Sequence, residues 1–170
     1  YELLHLCHRD NIGSIYPQRG SYVARLRLGA MTESLFIRGA LESAAVRRIA
    51  GEGNEVLVRG LQKNLEAQEQ ALEAENVGRY YQLDMEFHSA IARAVPFTQV
   101  ARQVDIGLAT VKRCHELFRP DVRSLRDSFE RHRRIVAAIS AGDGAAAAVE
   151  MDSHVADYAR MLQDFAHSRP

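Results

Sequence analysis

From residue 28 onward, apolar residues recur every three or four positions, the spacing that places them on one face of an α-helix. Short breaks rich in glycine, asparagine or proline divide this pattern into six segments, at about 51–54, 76–78, 95–96, 119–121 and 142–144. Helices joined by such short loops predict an all-α fold, an antiparallel bundle of about six helices.

The first 27 residues follow a different pattern. Two short β-prone runs, 12–16 and 21–26, flank the turn-forming segment 17–20 and predict a β-hairpin. This hairpin is mildly basic and follows a short helix-like piece, an arrangement that a winged helix leaves when its front is removed. A plain hairpin that caps a helical domain is the alternative. Because Tyr1 falls within the helix-like piece, we expect the sequence to be a fragment of a longer protein.

Composition and charge exclude several classes of protein. The chain is 46% hydrophobic and 26% charged, as in ordinary globular proteins. Lysine plus arginine equals aspartate plus glutamate at 22 each, so the net charge does not favour nucleic-acid binding by the chain as a whole. Cys7 and Cys114 form no metal-binding or redox motif, which favours a reducing cytoplasm. The sequence contains no apolar run long enough to predict a membrane span or membrane binding.

Three of the predicted helices carry ionisable side chains within their apolar stripes. Asp84 and His88 lie one helical turn apart, and His132 and His154 interrupt the stripes of two later helices. Burying an unpaired carboxylate costs several kcal/mol unless it coordinates a metal. If the three helices pack together, these carboxylate and imidazole groups predict a site for zinc, nickel, cobalt, manganese or iron.

Other interpretations of these residues remain open. A helix-borne histidine can be a core residue with a hydrogen-bond partner, and Asp84 with His88 can form an intrahelical pair. A bound metal could be purely structural, within a bundle that mediates dimerisation. It could also activate water in a metal-dependent hydrolase, although Glu86 and Asp152, the acidic neighbours of these residues, lie off the inward face.

The segments 84–88, 132–139 and 142–154 combine into one ordered pattern. It reads Asp-x-x-x-His, then His-x-x-Ile followed by Ala-Ile-x-x-Gly-Asp, then His. This pattern resembles the effector domain of the FadR subfamily of GntR-type transcription regulators, and the hairpin at 15–23 resembles the wing of their winged helix. The resemblance implies that residues 1–27 are the remnant of a DNA-binding domain and residues 28–170 an all-helical effector domain.

The resemblance implies a bacterial, cytoplasmic regulator that responds to a metabolite and is not an enzyme. Such a protein binds operator DNA as a homodimer through its winged helices. Its effector domain holds a divalent metal, zinc or nickel first, and a small carboxylate such as a sugar acid or hydroxy acid. The implied metal ligands are Asp84, His88, His132 and His154.

Further candidate residues follow from the resemblance and from position. Arg38 corresponds to an inward arginine of the first effector helix, and its alternative is a surface pair with Glu42. Arg113 and Ser128 are additional candidates for ligand binding, with a solvated or capping role as the alternative. We interpret His115 as a surface residue.

The wing tip, with Arg19 and Gly20, is a candidate for weak DNA contact that does not select a sequence. The helix that reads bases in the major groove is almost wholly missing. We therefore expect the full-length parent protein, and not this fragment, to bind operator DNA.

Overall fold

A computed structural model describes residues 13–16, 20–23, 28–118 and 122–167 of the chain. Beyond residue 27 the described residues form six α-helices, which confirms the helical bundle that the apolar periodicity predicts. The helices are α1 (Leu28–Glu52), α2 (Glu55–Glu73), α3 (Val77–Ala94), α4 (Thr98–Phe118), α5 (Val122–Ser140) and α6 (Gly144–His167).

Two short strands precede the bundle. Strand β1 (Gly13–Tyr16) pairs antiparallel with β2 (Gly20–Val23), with Tyr16 opposite Gly20. These strands fall within the range where the sequence predicts a hairpin. Gly20 begins β2, whereas Arg19, the other candidate of the wing tip, lies outside the described residues.

Local sequence signals set several helix ends. Asn54, Asn76 and Asp143 precede α2, α3 and α6, and each side chain accepts a hydrogen bond from the backbone N–H three residues later, at 3.0, 3.0 and 2.9 Å. Gly53 and Gly142 occupy the left-handed backbone region, with φ of 63° and 74°, which lets the chain reverse direction after α1 and α5. The loops are therefore short and the helices stay close to one another.

Helix α1 lies against α3, α4, α5 and α6, so one face of it is buried along the bundle while the other is exposed. Its buried side chains, among them Leu35 and Ile49, belong to one hydrophobic core with Ile135 of α5 and Met151 of α6. This position carries any polar residue on the inward face of α1 into the interior of the bundle. None of the described helices is long and apolar enough to cross a membrane.

Candidate metal centre and adjoining cavity

Helices α3, α5 and α6 bring the four predicted metal ligands together in the interior. The Nε2 atom of His154 lies 3.1 Å from Nε2 of His88 and 3.3 Å from Nε2 of His132. Asp84 Oδ1 lies 3.5 Å from His132 Nε2 and 3.9 Å from His88 Nε2. One ligand atom from each residue lies within 4.8 Å of all the others, and all four side chains are buried.

These separations suit a common metal ion. Ligand atoms that each lie about 2.0–2.2 Å from one zinc ion are roughly 3.0–3.5 Å from one another. Three imidazole nitrogens and a carboxylate oxygen also form a donor set that borderline divalent metals accept. The residues present therefore fit the metal that the sequence pattern implies.

Glu42 of α1 pairs with Nδ1 of His88, the ring nitrogen that faces away from the other candidate ligands. One carboxylate oxygen of Glu42 bonds to His88 Nδ1, and the other accepts a hydrogen bond from Nε of Arg38. Burial raises the pKa of Glu42, whereas the charge and hydrogen bond of Arg38 oppose this rise. An ionised Glu42 only accepts hydrogen bonds, and with it Nδ1 of His88 carries the proton and Nε2 presents its lone pair to the other ligands. Glu42 thereby connects α1 to the metal candidate.

Gln68 of α2 pairs with Nδ1 of His132, as Glu42 does with Nδ1 of His88. Its Oε1 lies 2.8 Å from His132 Nδ1, while its Nε2 donates to Asn64 Oδ1 at 2.6 Å. Asn64 in turn donates to the backbone carbonyl of Leu83 at 3.1 Å. This chain of donors and acceptors fixes which end of the Gln68 amide faces the imidazole, so that His132 also presents Nε2 inward.

Arg38 and Glu42 form a buried ion pair, with side chains 3% and 0% exposed. The alternative of a surface pair between them is therefore wrong, because both residues lie on the face of α1 that packs against the other helices. Nη2 of Arg38 is buried and has no hydrogen-bond partner within the part of the chain that the structure describes. A buried guanidinium nitrogen without a partner is costly, which marks this atom as a candidate contact for a ligand.

Burial sets the charge of the candidate ligands in the metal-free protein. It lowers the pKa of His88, His132 and His154 well below the usual histidine value, because the charged imidazolium loses its hydration. Burial also raises the pKa of Asp84 to about 6, although the Arg38 charge opposes the shift. The three imidazoles are uncharged, the state that ligates a metal.

A cavity of about 50 Å³ adjoins the metal candidate. Arg38 and Ser128, both predicted to bind a ligand, line it together with Asp84 and His154. Arg113, the third predicted ligand-binding residue, lies half-buried on α4 and is not among the described residues of the cavity wall. The structure therefore brings two of the three predicted ligand-binding residues to the metal candidate.

The cavity continues into a wider groove of about 570 Å³ beside α5 and α6. Ser128, His154 and Tyr158 line both spaces. The outer part of the groove carries Arg131 and Asp157, which form an ion pair at 3.0 Å. A small molecule can reach the cavity by this route.

His115 of α4 also lines the cavity, so the expectation of a surface residue is wrong. Its ring stacks on Tyr81 with the centroids 3.7 Å apart. The sequence held a signal for this burial, because His115 continues the apolar stripe of Val104, Leu108 and Val111 at helical spacing. Glu42 and Gln68 were likewise not identified as site residues from the sequence.

Comparisons with known proteins agree with this architecture. Residues 33–157 match the model of the FCD domain. The chain is 28% identical over 149 residues to the HTH-type transcriptional repressor RspR of Escherichia coli K12, a match that covers 88% of this chain and 65% of the relative. The chain therefore spans slightly less than two thirds of the relative's length.

Solved structures share the fold at low sequence identity. The E. coli McbR/YncC structure superposes with a TM-score of 0.83 at 21% identity, over 96% of this chain and 82% of that chain. Streptococcus agalactiae GntR superposes with a TM-score of 0.67 at 20% identity, over 94% of this chain and 79% of that chain. Since the family model covers most of the sequence, this chain belongs to the FCD domain family, the C-terminal effector domain of GntR-family regulators.

Proposed function

We propose that the chain is the effector part of a cytoplasmic, metabolite-responsive bacterial transcription regulator, which binds a divalent metal and a small carboxylate. The observation that carries this proposal is the convergence of three histidine nitrogens and one carboxylate oxygen beside a cavity that contains an unpaired arginine nitrogen. Family membership supports a regulatory role, and the site supports the chemistry of the signal.

The metal is held by one carboxylate and three imidazoles, those of Asp84, His88, His132 and His154. Zinc or nickel suits this donor set first, and cobalt, manganese and iron are also compatible. When bound, the metal supplies a Lewis-acid anchor for a carboxylate or hydroxyl oxygen.

Arg38 and Ser128 complete the carboxylate site. The guanidinium of Arg38 always carries its charge, and Nη2 is the nitrogen that has no protein partner among the described residues. Ser128 lines the same cavity and offers a hydroxyl that can donate to a carboxylate oxygen. Arg38 also binds Glu42, so the ligand site and the metal site are joined through α1.

The cavity distinguishes this proposal from its alternatives. A purely structural metal needs neither an adjoining cavity nor an unpaired buried arginine nitrogen. A hydrolase needs a general base near the metal, yet Glu86 and Asp152, the acidic sequence neighbours of the ligands, are exposed on the outer faces of α3 and α6. Family membership likewise favours a regulator over an enzyme.

We infer that residues 1–27 are the wing end of a winged helix and that residues 28–170 form the effector domain. The pairing of β1 with β2 supports this inference, as does a structural match over 96% of the chain, which reaches into the residues before α1. Arg19 and Gly20 are the proposed contacts of the wing with DNA. The proposed regulator binds operator DNA as a homodimer through its winged helices, and α1 transmits the state of the ligand site because it is the first helix after the strands.

Thermal unfolding of the chain with and without zinc tests the proposal. A panel of acetate, glycolate, lactate, gluconate and citrate is screened against the zinc-loaded and the metal-stripped protein. We expect at least one acid to stabilise only the zinc-loaded chain, by about 2.7 kcal/mol at a hundred times its Kd. The Asp84→Asn variant, treated with zinc in the same way, should lose this response. No response to any acid, or an equal response without metal, would refute the proposal.

A further inference from the structure

His115 and Tyr81 form a polar part of the cavity wall that the metal candidate does not use. Nδ1 of His115 and the hydroxyl of Tyr81 are both buried, and neither has a hydrogen-bond partner in the described part of the chain. A buried polar atom without a partner is costly, and native proteins contain few of them. Two such atoms in the wall of one cavity indicate a molecule that enters the cavity and pairs with them.

Aromatic contacts hold the imidazole of His115 in place. It stacks on Tyr81 with an interplanar angle of 19°, and it meets Tyr158 edge to face with the centroids 5.3 Å apart. The hydroxyl of Tyr158 already donates to the backbone carbonyl of Val111 at 3.4 Å. Among the described residues, Tyr80 and Arg38 also line the cavity with an unpaired hydroxyl and an unpaired Nη2. His115 and Tyr81, however, are the two groups that a ring stack holds side by side before any ligand binds.

Both groups are uncharged at neutral pH. Burial, helped by the nearby Arg38 charge, lowers the pKa of His115 to about 3. Burial raises the pKa of the Tyr81 hydroxyl, which therefore keeps its proton. Nδ1 of a neutral imidazole either donates or accepts, and a phenol hydroxyl can do both, so the two groups can pair with a hydroxyl that donates to one and accepts from the other.

The charges of the site agree with a single carboxylate. With a divalent ion in place, the positive charges of the ion and Arg38 exceed the buried carboxylates Asp84 and Glu42 by one. One carboxylate neutralises this excess, whereas a dicarboxylate leaves a buried negative charge without a partner. Arg38 is the one arginine or lysine among the described residues that line the cavity.

The size of the cavity limits how much of the ligand it encloses. A buried water requires about 10–15 Å³ of cavity volume, and the cavity measures about 50 Å³. It therefore encloses about four water-sized groups, and the remainder of a longer acid extends into the adjoining groove of about 570 Å³.

We propose that His115 and Tyr81 form a hydroxyl-binding subsite, which selects a monocarboxylate that carries a hydroxyl group. This inference rests on the proposed function, because the carboxylate end of the same ligand binds the metal and Arg38. The hydroxyl donates to one of the two groups and accepts from the other. Dicarboxylates and acids without a hydroxyl fit the subsite poorly.

Isothermal titration of the zinc-loaded chain with matched acids tests the subsite. The pairs are glycolate against acetate, and lactate or 3-hydroxypropionate against propionate, with malonate as the dicarboxylate. We expect at least one hydroxylated acid to bind about 10-fold tighter than its partner, because the partner leaves buried polar atoms unpaired. Malonate should bind no tighter than propionate.

Two variants separate the subsite from the metal as the source of this preference. Tyr81→Phe removes one oxygen, and His115→Phe removes the ring nitrogens while it keeps an aromatic ring on Tyr81. In each variant the preference should fall about 5-fold or more, while the zinc content and the affinity for propionate stay unchanged. Tyr158→Phe is the matched control and should keep the preference, since its hydroxyl bonds to the backbone of α4.

The outcomes distinguish this inference from the proposed function. Acids that bind the zinc-loaded chain without a hydroxyl preference overturn the subsite and leave the proposed function intact. A preference that survives in both variants assigns hydroxyl recognition to the metal and also overturns the subsite, as does tighter binding of malonate. If no acid binds, both proposals fail.

Discussion

Replacing Glu42 with glutamine keeps the shape of the side chain and removes the charge that joins Arg38 to His88. If the amide oxygen of Gln faces Arg38, its NH₂ group faces Nδ1 of His88 and forces the proton onto Nε2, which then cannot bind a metal. If the amide is reversed, its NH₂ group faces the Nε–H donor of Arg38. Either orientation loses one of the two contacts.

The burial of the pair sets the size of the effect. Arg38 and Glu42 are 3% and 0% exposed, so the substitution leaves an arginine charge in the interior without its partner. Removing one member of a buried ion pair costs about 3–5 kcal/mol of unfolding free energy. The loss of a group that orients a metal-binding histidine lowers metal affinity by about 10–100-fold.

Urea denaturation of the metal-free protein measures the stability of Glu42→Gln, and competition with a chelator measures its zinc affinity. Glu86→Gln is the control, because Glu86 is exposed on α3 and lies 3.8 Å from an exposed Arg79. We expect the control to change stability by less than about 0.5 kcal/mol and to keep its zinc affinity. If Glu42→Gln matches the wild type in both measurements, Glu42 does not orient His88.

Two further predictions concern packing and pH. A Cβ at Gly144 would lie 3.2 Å from Cα of Arg47 and closer still to its carbonyl oxygen. Gly144→Ala should therefore lower the unfolding free energy by about 1–3 kcal/mol. The control Gly51→Ala, whose added Cβ meets open space in α1, should leave the unfolding free energy unchanged or raise it by up to about 1 kcal/mol. Equal denaturation midpoints for the two variants would contradict the α1–α6 packing. Burial lowers the pKa of His115 from 6.5 to about 3. Above pH 6.5 His115 is neutral in both the folded and the unfolded chain, so its protonation does not change the unfolding free energy. As the pH falls from 6.5 towards 3, only the unfolded chain binds this proton, and the unfolding free energy decreases. The unfolding free energy of metal-free His115→Phe is measured between about pH 6 and about pH 4. It should fall less steeply with decreasing pH than that of the wild type, and the two slopes should differ by about 1.4 kcal/mol per pH unit. Parallel curves would show that His115 is not buried as a neutral group.

The sequence was sufficient to predict the helical bundle and the four buried side chains of the candidate metal centre, because each of them interrupts an apolar stripe at helical spacing. A carboxylate or imidazole on an inward face is conspicuous even when its partners are unknown. Asn54 and Gly142 similarly marked helix ends through local chemistry alone. These features depend on residues within one helix, which the order of the sequence displays directly.

The groups that support the ligands depend on contacts between helices, and the sequence does not display those. Glu42 follows Arg38 by four residues, a spacing that equally suits an exposed pair, until α1 is known to lie inside the bundle. Gln68 lies on α2, but its partner His132 is 64 residues away on another helix. His115 continued an apolar stripe and was nevertheless interpreted as exposed, because its cavity exists only once α1, α3, α4, α5 and α6 come together.

The most direct test of the account is the metal content of the purified chain. The wild type is loaded with zinc, dialysed against metal-free buffer and analysed by inductively coupled plasma mass spectrometry beside His132→Ala and the control His167→Ala, which removes a histidine that is not one of the four proposed ligands. We predict about one zinc ion per chain in the wild type and the control, and almost none in His132→Ala. A wild type that retains no metal, or a His132→Ala variant that retains as much as the wild type, would contradict the assignment of this centre.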